Sequence, residues 1–242
     1  MGLRGSAVKK IKNQSELLIY HKKANFEYLI QEFIPFKEEV GIFYVRFPNQ
    51  EKGKVTGIVY KELFKVIGDG ISTIEKLIKQ NPRFEFQLKA IYKELGENIY
   101  EVLPLNQSKI LVPLGNHCRG AKFLDYSHFI SSELDEVLNE IALQIPGFYF
   151  GRLDVMYNSW EELLQGKNFL LVEVNGAASE PTHIYDPKHS IFFAWKELAR
   201  HITYMFKISE INHKKGIPYL TFKEGIHQYK MHNKLVNTYE NI

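Results

Sequence analysis

Hydrophobic and polar positions alternate with a period of two over residues 39–47. Val40, Ile42, Tyr44 and Arg46 share one side and Gly41, Phe43 and Val45 the other, so the run predicts a strand. A polar turn over residues 48–54, with Gly53, then leads into a second strand over 54–61. Further strands are expected at 28–34, where Pro35 stops the run, at 151–156 and at 172–176, with short extended pieces at 101–105 and 109–114. The 3.6-residue period is clearest after Ser132: Leu134, Val137, Leu138, Ile141, Ala142 and Ile145 form one stripe until Pro146 and Gly147 end it. Helices are also expected from Ser15 to about Lys23, from Ser72 to about Lys79, over 83–96 on the surface, and over 190–206. The basic stretch after Gly216 carries no assignable element. Strands in consecutive groups with helices interspersed predict an α+β fold.

Composition narrows the class. With 242 residues, 45% hydrophobic and 14% aromatic, the chain can build a sizeable core as one large domain or two lobes. A net charge of +3, from 31 basic and 28 acidic residues, calls for neither nucleic acid nor a membrane as partner. A single cysteine, Cys118, excludes an internal disulfide framework, and no apolar run has the length of a membrane span, so the cytoplasm is the expected compartment. The first six residues fit the loose N-myristoylation pattern, but residues 2–7 read better as a glycine loop feeding a strand over 8–11. Neither a P-loop nor a GxGxxG turn is present.

Two short runs carry the chemistry. Arg152 and Asp154 lie two residues apart in one expected strand, and Glu173 and Asn175 in another, so each pair shares a face. Phe148 and Phe150 before the first pair, and Leu171 before the second, place those faces in apolar surroundings, where charges need partners or a metal. Two carboxylates and an amide oxygen suit Mg²⁺, which keeps part of its water and is shared with substrate phosphates. His117 and His183 lack a second ligand at metal spacing, and Cys118 lacks a basic partner.

In chain order, the glycine loop, Gln31-Glu32-Phe33-Ile34, Glu39, Arg152-x-Asp154 and Glu173-x-Asn175 resemble the ATP-grasp superfamily of carboxylate-amine ligases. Residues 151–156 look like the corresponding strand of D-alanine–D-alanine ligases, and residues 68–73 resemble a segment of cyanophycin synthetase-type enzymes. The resemblance spans about residues 2–187. It implies an ATP-grasp fold of two α+β lobes with the nucleotide between them: residues 1–34 as part of the small lobe, 35–206 as the large lobe, and 207–242 as a tail of unknown role.

The resemblance also implies roles. Arg4, Gly5 and Ser6 would close over the phosphates, Gln31, Glu32, Phe33 and Ile34 would meet the adenine, and Glu39 would hold the ribose. Lys61 would meet the terminal phosphate. Asp154, Glu173 and Asn175 would bind two Mg²⁺ or Mn²⁺ ions, while Arg152 would stabilise the transferring phosphoryl group and Arg119 would clamp a phosphate or carboxylate. The implied reaction joins a small-molecule carboxylate to an amine through an acyl phosphate at the expense of ATP; a nucleotide-binding module without ligase chemistry is the alternative. The family's phosphate-binding lysine and N-terminal domain precede the glycine loop, so a fragment, N-terminally truncated and impaired on its own, is expected. After Asn175 the loop over 176–186 departs from the D-alanine–D-alanine ligase pattern, which leaves the substrates unassigned. A homodimer is one expected assembly.

Overall fold

The computed structural model describes residues 8–24, 26–81, 88–112 and 121–240. The chain divides into two compact units, Met1–Pro35 with Lys215–Ile242, and Phe36–Lys214.

The larger unit is built on a five-stranded antiparallel sheet. Its strands are β1 (Glu38–Val45), β2 (Lys54–Glu62), β5 (Lys122–Asp125), β6 (Phe150–Tyr157) and β7 (Phe169–Asn175), in the order β5-β2-β1-β6-β7. A separate two-stranded ladder joins β3 (Phe64–Ile67) to β4 (Ser108–Val112). The architecture is mixed α and β with antiparallel pairing, as the grouping of strands predicts.

The alternation over 39–47 sorts as expected. Val40, Ile42 and Tyr44 enter the main core with Val55, Ile58, Leu153 and Val155. Helix α4 (Ser132–Leu143) covers that face with Leu134, Leu138 and Ala142, and α5 (Trp160–Leu164) adds Leu163. Helix α4 opens at Ser132, as the stripe predicts, and is capped by Ser131, whose hydroxyl accepts from the Leu134 amide. Asn139 is buried on the same helix and fully employed. Its Oδ1 accepts from the Gly53 amide at 2.7 Å and from the Tyr44 hydroxyl at 2.5 Å, which ties the β1–β2 hairpin to the helix. On the opposite face Phe43, Val45 and Phe150 meet Ile208 of α6 (Ile191–Lys214). A second core forms around β3 and β4, with α2 (Ile74–Lys79) supplying Ile74 and Ile78 and α3 (Leu88–Leu95) supplying Ile91.

Several expectations are corrected. Residues 28–34 form no strand: Leu29, Ile30 and Phe33 are 64–81% exposed, and an extended segment without a ladder partner gains nothing from its backbone groups. Residues 8–11 are likewise irregular, and 101–105 contributes only an isolated bridge from Val102 to Thr73. Helix α3 turns Ile91 into the second core, and its expected first turns lie outside the described residues. Helix α6 runs to Lys214, eight residues past Phe206, and the C-terminal stretch holds a 19-residue helix, α7 (Phe222–Glu240).

Candidate functional site

The alternation that buries Val40 and Ile42 turns Glu39 and Gly41 of β1 to the other face, and the sheet register collects the polar residues of three further strands around them. Gly41 stands opposite Asp154 of β6, which in turn stands opposite Glu173 of β7; Arg152 stands opposite Asn175. Lys61 comes from the end of β2. Glu39, Lys61, Arg152, Asp154, Glu173 and Asn175 therefore form one cluster, drawn from segments up to 136 positions apart.

Asp154 is its centre. The side chain is 4% exposed, and Lys61 Nζ donates to its Oδ2 at 2.9 Å and to Glu39 Oε1 at 2.5 Å. Arg152 holds both oxygens, Nε to Oδ1 at 2.7 Å and a terminal nitrogen to Oδ2 at 3.2 Å, and the Asn175 amide reaches Oδ2 at 3.4 Å. Burial alone pushes the Asp154 carboxyl up, but the charges and hydrogen bonds of Lys61 and Arg152 outweigh it and hold its pKa below the usual carboxylate range. For Lys61, burial pulls downward, and Asp154 and Glu39 reverse it, so the ammonium is held protonated above its ordinary value. Three carboxylates against two cations leave the cluster with an excess negative charge. Glu173, the exposed member, opens it to solvent.

Two features of this geometry are absent from simple alternation. Leu171 and Glu173 lie two residues apart yet face opposite ways: Asp154 pairs with Glu173 and Val155 with Leu171, so Val172 is an extra residue in a β-bulge. Leu171 packs into the main core while Glu173 remains with the cluster. Phe148 also belongs to the main core, because it precedes β6 and stacks on Tyr44. Only Phe150 shares the face of Arg152.

Gly41 and Gly151 are structural requirements that the motif reading passed over. A Cβ on Gly41 would lie 2.9 Å from Arg152 Cδ and 3.0 Å from Asp154 Oδ1, so the bare backbone leaves room for the ion pair. A Cβ on Gly151 would fall 2.1 Å from the carbonyl oxygen of Asn175. A glycine within an alternating run was the available signal for both.

Beside the cluster, a second polar group fixes α6 to the sheet. Arg200 donates to the Thr56 carbonyl at 2.7 Å and pairs with Glu197, which also meets His183 at 3.3 Å. His201 Nδ1 donates to the Glu197 carbonyl at 2.8 Å, leaving Nε2 to accept from the Thr56 hydroxyl at 3.0 Å. Burial pulls the His201 pKa down to about 4 and lowers that of His183 as well. Gly57 accommodates the His183 ring, since a Cβ there would lie 2.4 Å from it. His183, a loop residue in the sequence, is thus a packed core histidine.

The other expected site residues belong to the smaller unit or lie outside the described residues. Gln31, Glu32, Phe33 and Ile34 belong to the smaller unit and have no regular structure, with Phe33 beneath the Lys10 ammonium at 3.4 Å. Arg4, Gly5, Ser6, Cys118, His117 and Arg119 lie outside the described residues.

Oxygen chemistry fits the cluster. Asp154 and Glu173 are adjacent carboxylates, and a half-turn of the Asn175 amide would present its oxygen to the same point. Among the described residues no group of three His, Cys, Asp or Glu is placed to hold a metal ion. No helix among the described residues is long and apolar enough to cross a membrane.

No protein-family model matches the sequence, and no curated protein matches it. Among solved structures, a bifunctional glutathione synthetase from Pasteurella multocida is similar at 14% identity with a TM-score of 0.42. The match covers 62% of this chain and 22% of that one.

Proposed function

We propose that this protein is an ATP- and Mg²⁺-dependent ligase that joins a carboxylate to an amine through an acyl phosphate. One observation carries the reading: a buried carboxylate, Asp154, is clamped between two cations, with an exposed carboxylate and an amide beside it at the solvent edge. A purely structural ion pair needs neither the exposed Glu173 nor a second cation on the same acid.

The geometry and the resemblance of the motifs support the following roles. Asp154, Glu173 and Asn175 would hold Mg²⁺, whose contribution is to neutralise charge on the nucleotide phosphates. Lys61 has three donors and uses two on Glu39 and Asp154, so a third is available for a phosphate oxygen. Arg152, fixed by Asp154, presents its remaining guanidinium donors toward charge that develops as the γ-phosphoryl group passes to a carboxylate. The amine then attacks the acyl phosphate carbon; the new C–N bond forms as the C–O bond to phosphate breaks, and inorganic phosphate leaves. ADP release that requires both a carboxylate and an amine is the expected behaviour.

A second reading is a nucleotide-binding module without ligase chemistry. It is favoured by the double hold of Arg152 on Asp154, which spends two guanidinium nitrogens on an ion pair and leaves fewer for phosphoryl transfer. Calorimetry with ATP and Mg²⁺, followed by screening of ADP release over pooled carboxylates and amines, separates the two. Tight binding with no substrate-dependent release selects the module, and the absence of binding removes both.

A further inference from the structure

Helix α6 buries one face against the sheet and carries an apolar stripe on the opposite one. Glu197, His201 and Ile208 are buried against the sheet, while Phe192, Trp195, Ala199, Ile202 and Phe206 all face solvent. At about 100° per residue, those five positions fall within roughly 40° of the direction diametrically opposite Glu197. A surface helix ordinarily places charged or polar groups there.

The exposed stripe is large and pre-organised. Phe192 is 72% exposed, Trp195 59% and Phe206 67%, so these three rings alone leave about 400 Å² of aromatic surface in water. With Ile191 and Ile202 the stripe reaches about 600 Å², the top of the usual range for the largest patch on a monomer and most of the roughly 800 Å² per partner of a standard interface. Phe192 and Trp195 already stand edge to face, ring centroids 5.7 Å apart. Aromatic anchors held in place before association lose little freedom on binding.

The spacing identifies the partner. Phe192, Ala199 and Phe206 are seven residues apart, with Trp195 and Ile202 between them, so the stripe repeats as the seam of a two-helix pair. It is also nearly palindromic about Ala199. A two-fold axis at Ala199 would set Phe192 of one copy against Phe206 of the other, and Trp195 against Ile202, with the small Ala199 side chain allowing close approach of the helices. We propose that the partner is a second copy of this chain, and that α6 pairs antiparallel with α6 of that copy, crossing at Ala199.

Sedimentation velocity of the full chain across a range of concentrations tests this. The expected result is a reversible dimer whose dissociation constant rises roughly tenfold or more in Trp195→Glu and in Phe206→Glu, because a carboxylate at the centre of an apolar seam has no counter-charge. Both positions are exposed, and an unchanged circular dichroism melt confirms that the variants fold. Ala199→Cys in a Cys118→Ser background gives a second readout: a short bismaleimide should link two copies through position 199. A monomer at every concentration overturns the proposal. So does a dimer indifferent to both substitutions, failure of Ala199→Cys to cross-link, or recruitment of a monomer to lipid vesicles through Trp195.

Discussion

Lys61 and Asp154 meet at 2.9 Å although β1 lies between their strands, so the ammonium reaches across a neighbour to find its carboxylate. Gly41 stands directly opposite Asp154 on that intervening strand and contributes no side chain to obstruct the pair. Replacing Lys61 by Met should leave Asp154 and Glu39 without their shared cation and cost about 3–5 kcal/mol of stability. Urea unfolding measures it, and a double-mutant cycle with Asp154→Asn should return a coupling of about 1–3 kcal/mol. Additive effects would mean that the pair is not a unit.

Glu173 separates stability from function. Its carboxylate is exposed, so Glu173→Gln should change unfolding free energy by no more than about 0.5 kcal/mol. Mg²⁺-dependent ATP binding, followed by calorimetry, should nevertheless weaken markedly, since half of the carboxylate pair beside Asn175 is gone. Unchanged metal dependence would remove Glu173 from the site.

Arg152→Lys preserves charge and gives up the two-point hold on Asp154. An ammonium cannot reproduce that fork, so turnover measured as ADP release should fall about 10²-fold while nucleotide affinity changes only a few-fold. An equal loss of both would assign Arg152 to binding rather than to the phosphoryl transfer.

Gly151→Ala addresses the backbone. The new methyl would lie 2.1 Å from the Asn175 carbonyl oxygen, and the two strands must separate where the cluster is assembled. Destabilisation of about 2–4 kcal/mol is expected, together with loss of metal-dependent nucleotide binding. A variant as stable as the parent would show that β6 and β7 can shift freely at this point.

Acid should weaken the fold in two stages. Burial lowers the His201 pKa from 6.5 to about 4, so the unfolded chain binds its proton more readily than the folded one. That contribution is complete above pH 6.5 and is lost as the pH falls toward 4. The Asp154 carboxyl is also depressed, by Lys61 and Arg152 acting against burial, so its stabilisation is present above the ordinary carboxylate range and disappears only as the pH falls through its folded value. Urea midpoints should therefore decline from pH 6.5 to 4 and fall further below. His201→Gln should reduce the first decline, with His183 supplying the remainder, and leave the second.

The sequence by itself determined what local periodicity and short spacing can encode. The alternation of Val40, Ile42 and Tyr44 with Gly41 and Phe43, the stripe of α4, and the pairing of Arg152 with Asp154 on one face all follow from the pitch of a strand or helix. Only the tertiary structure decided which strands are neighbours, and with it the meeting of Lys61, Glu39 and Asp154. Residues 28–34 had the composition of a strand but lack a partner, and a strand is stabilised by its ladder rather than by its own residues. The bulge at Val172 is of the same kind, because an extra residue is defined only against the strand opposite. The second face of α6 was hidden for the opposite reason. Its pattern was plain in the sequence, but a helix with apolar groups on more than one side reads as amphipathic or buried until the fold shows which side it covers.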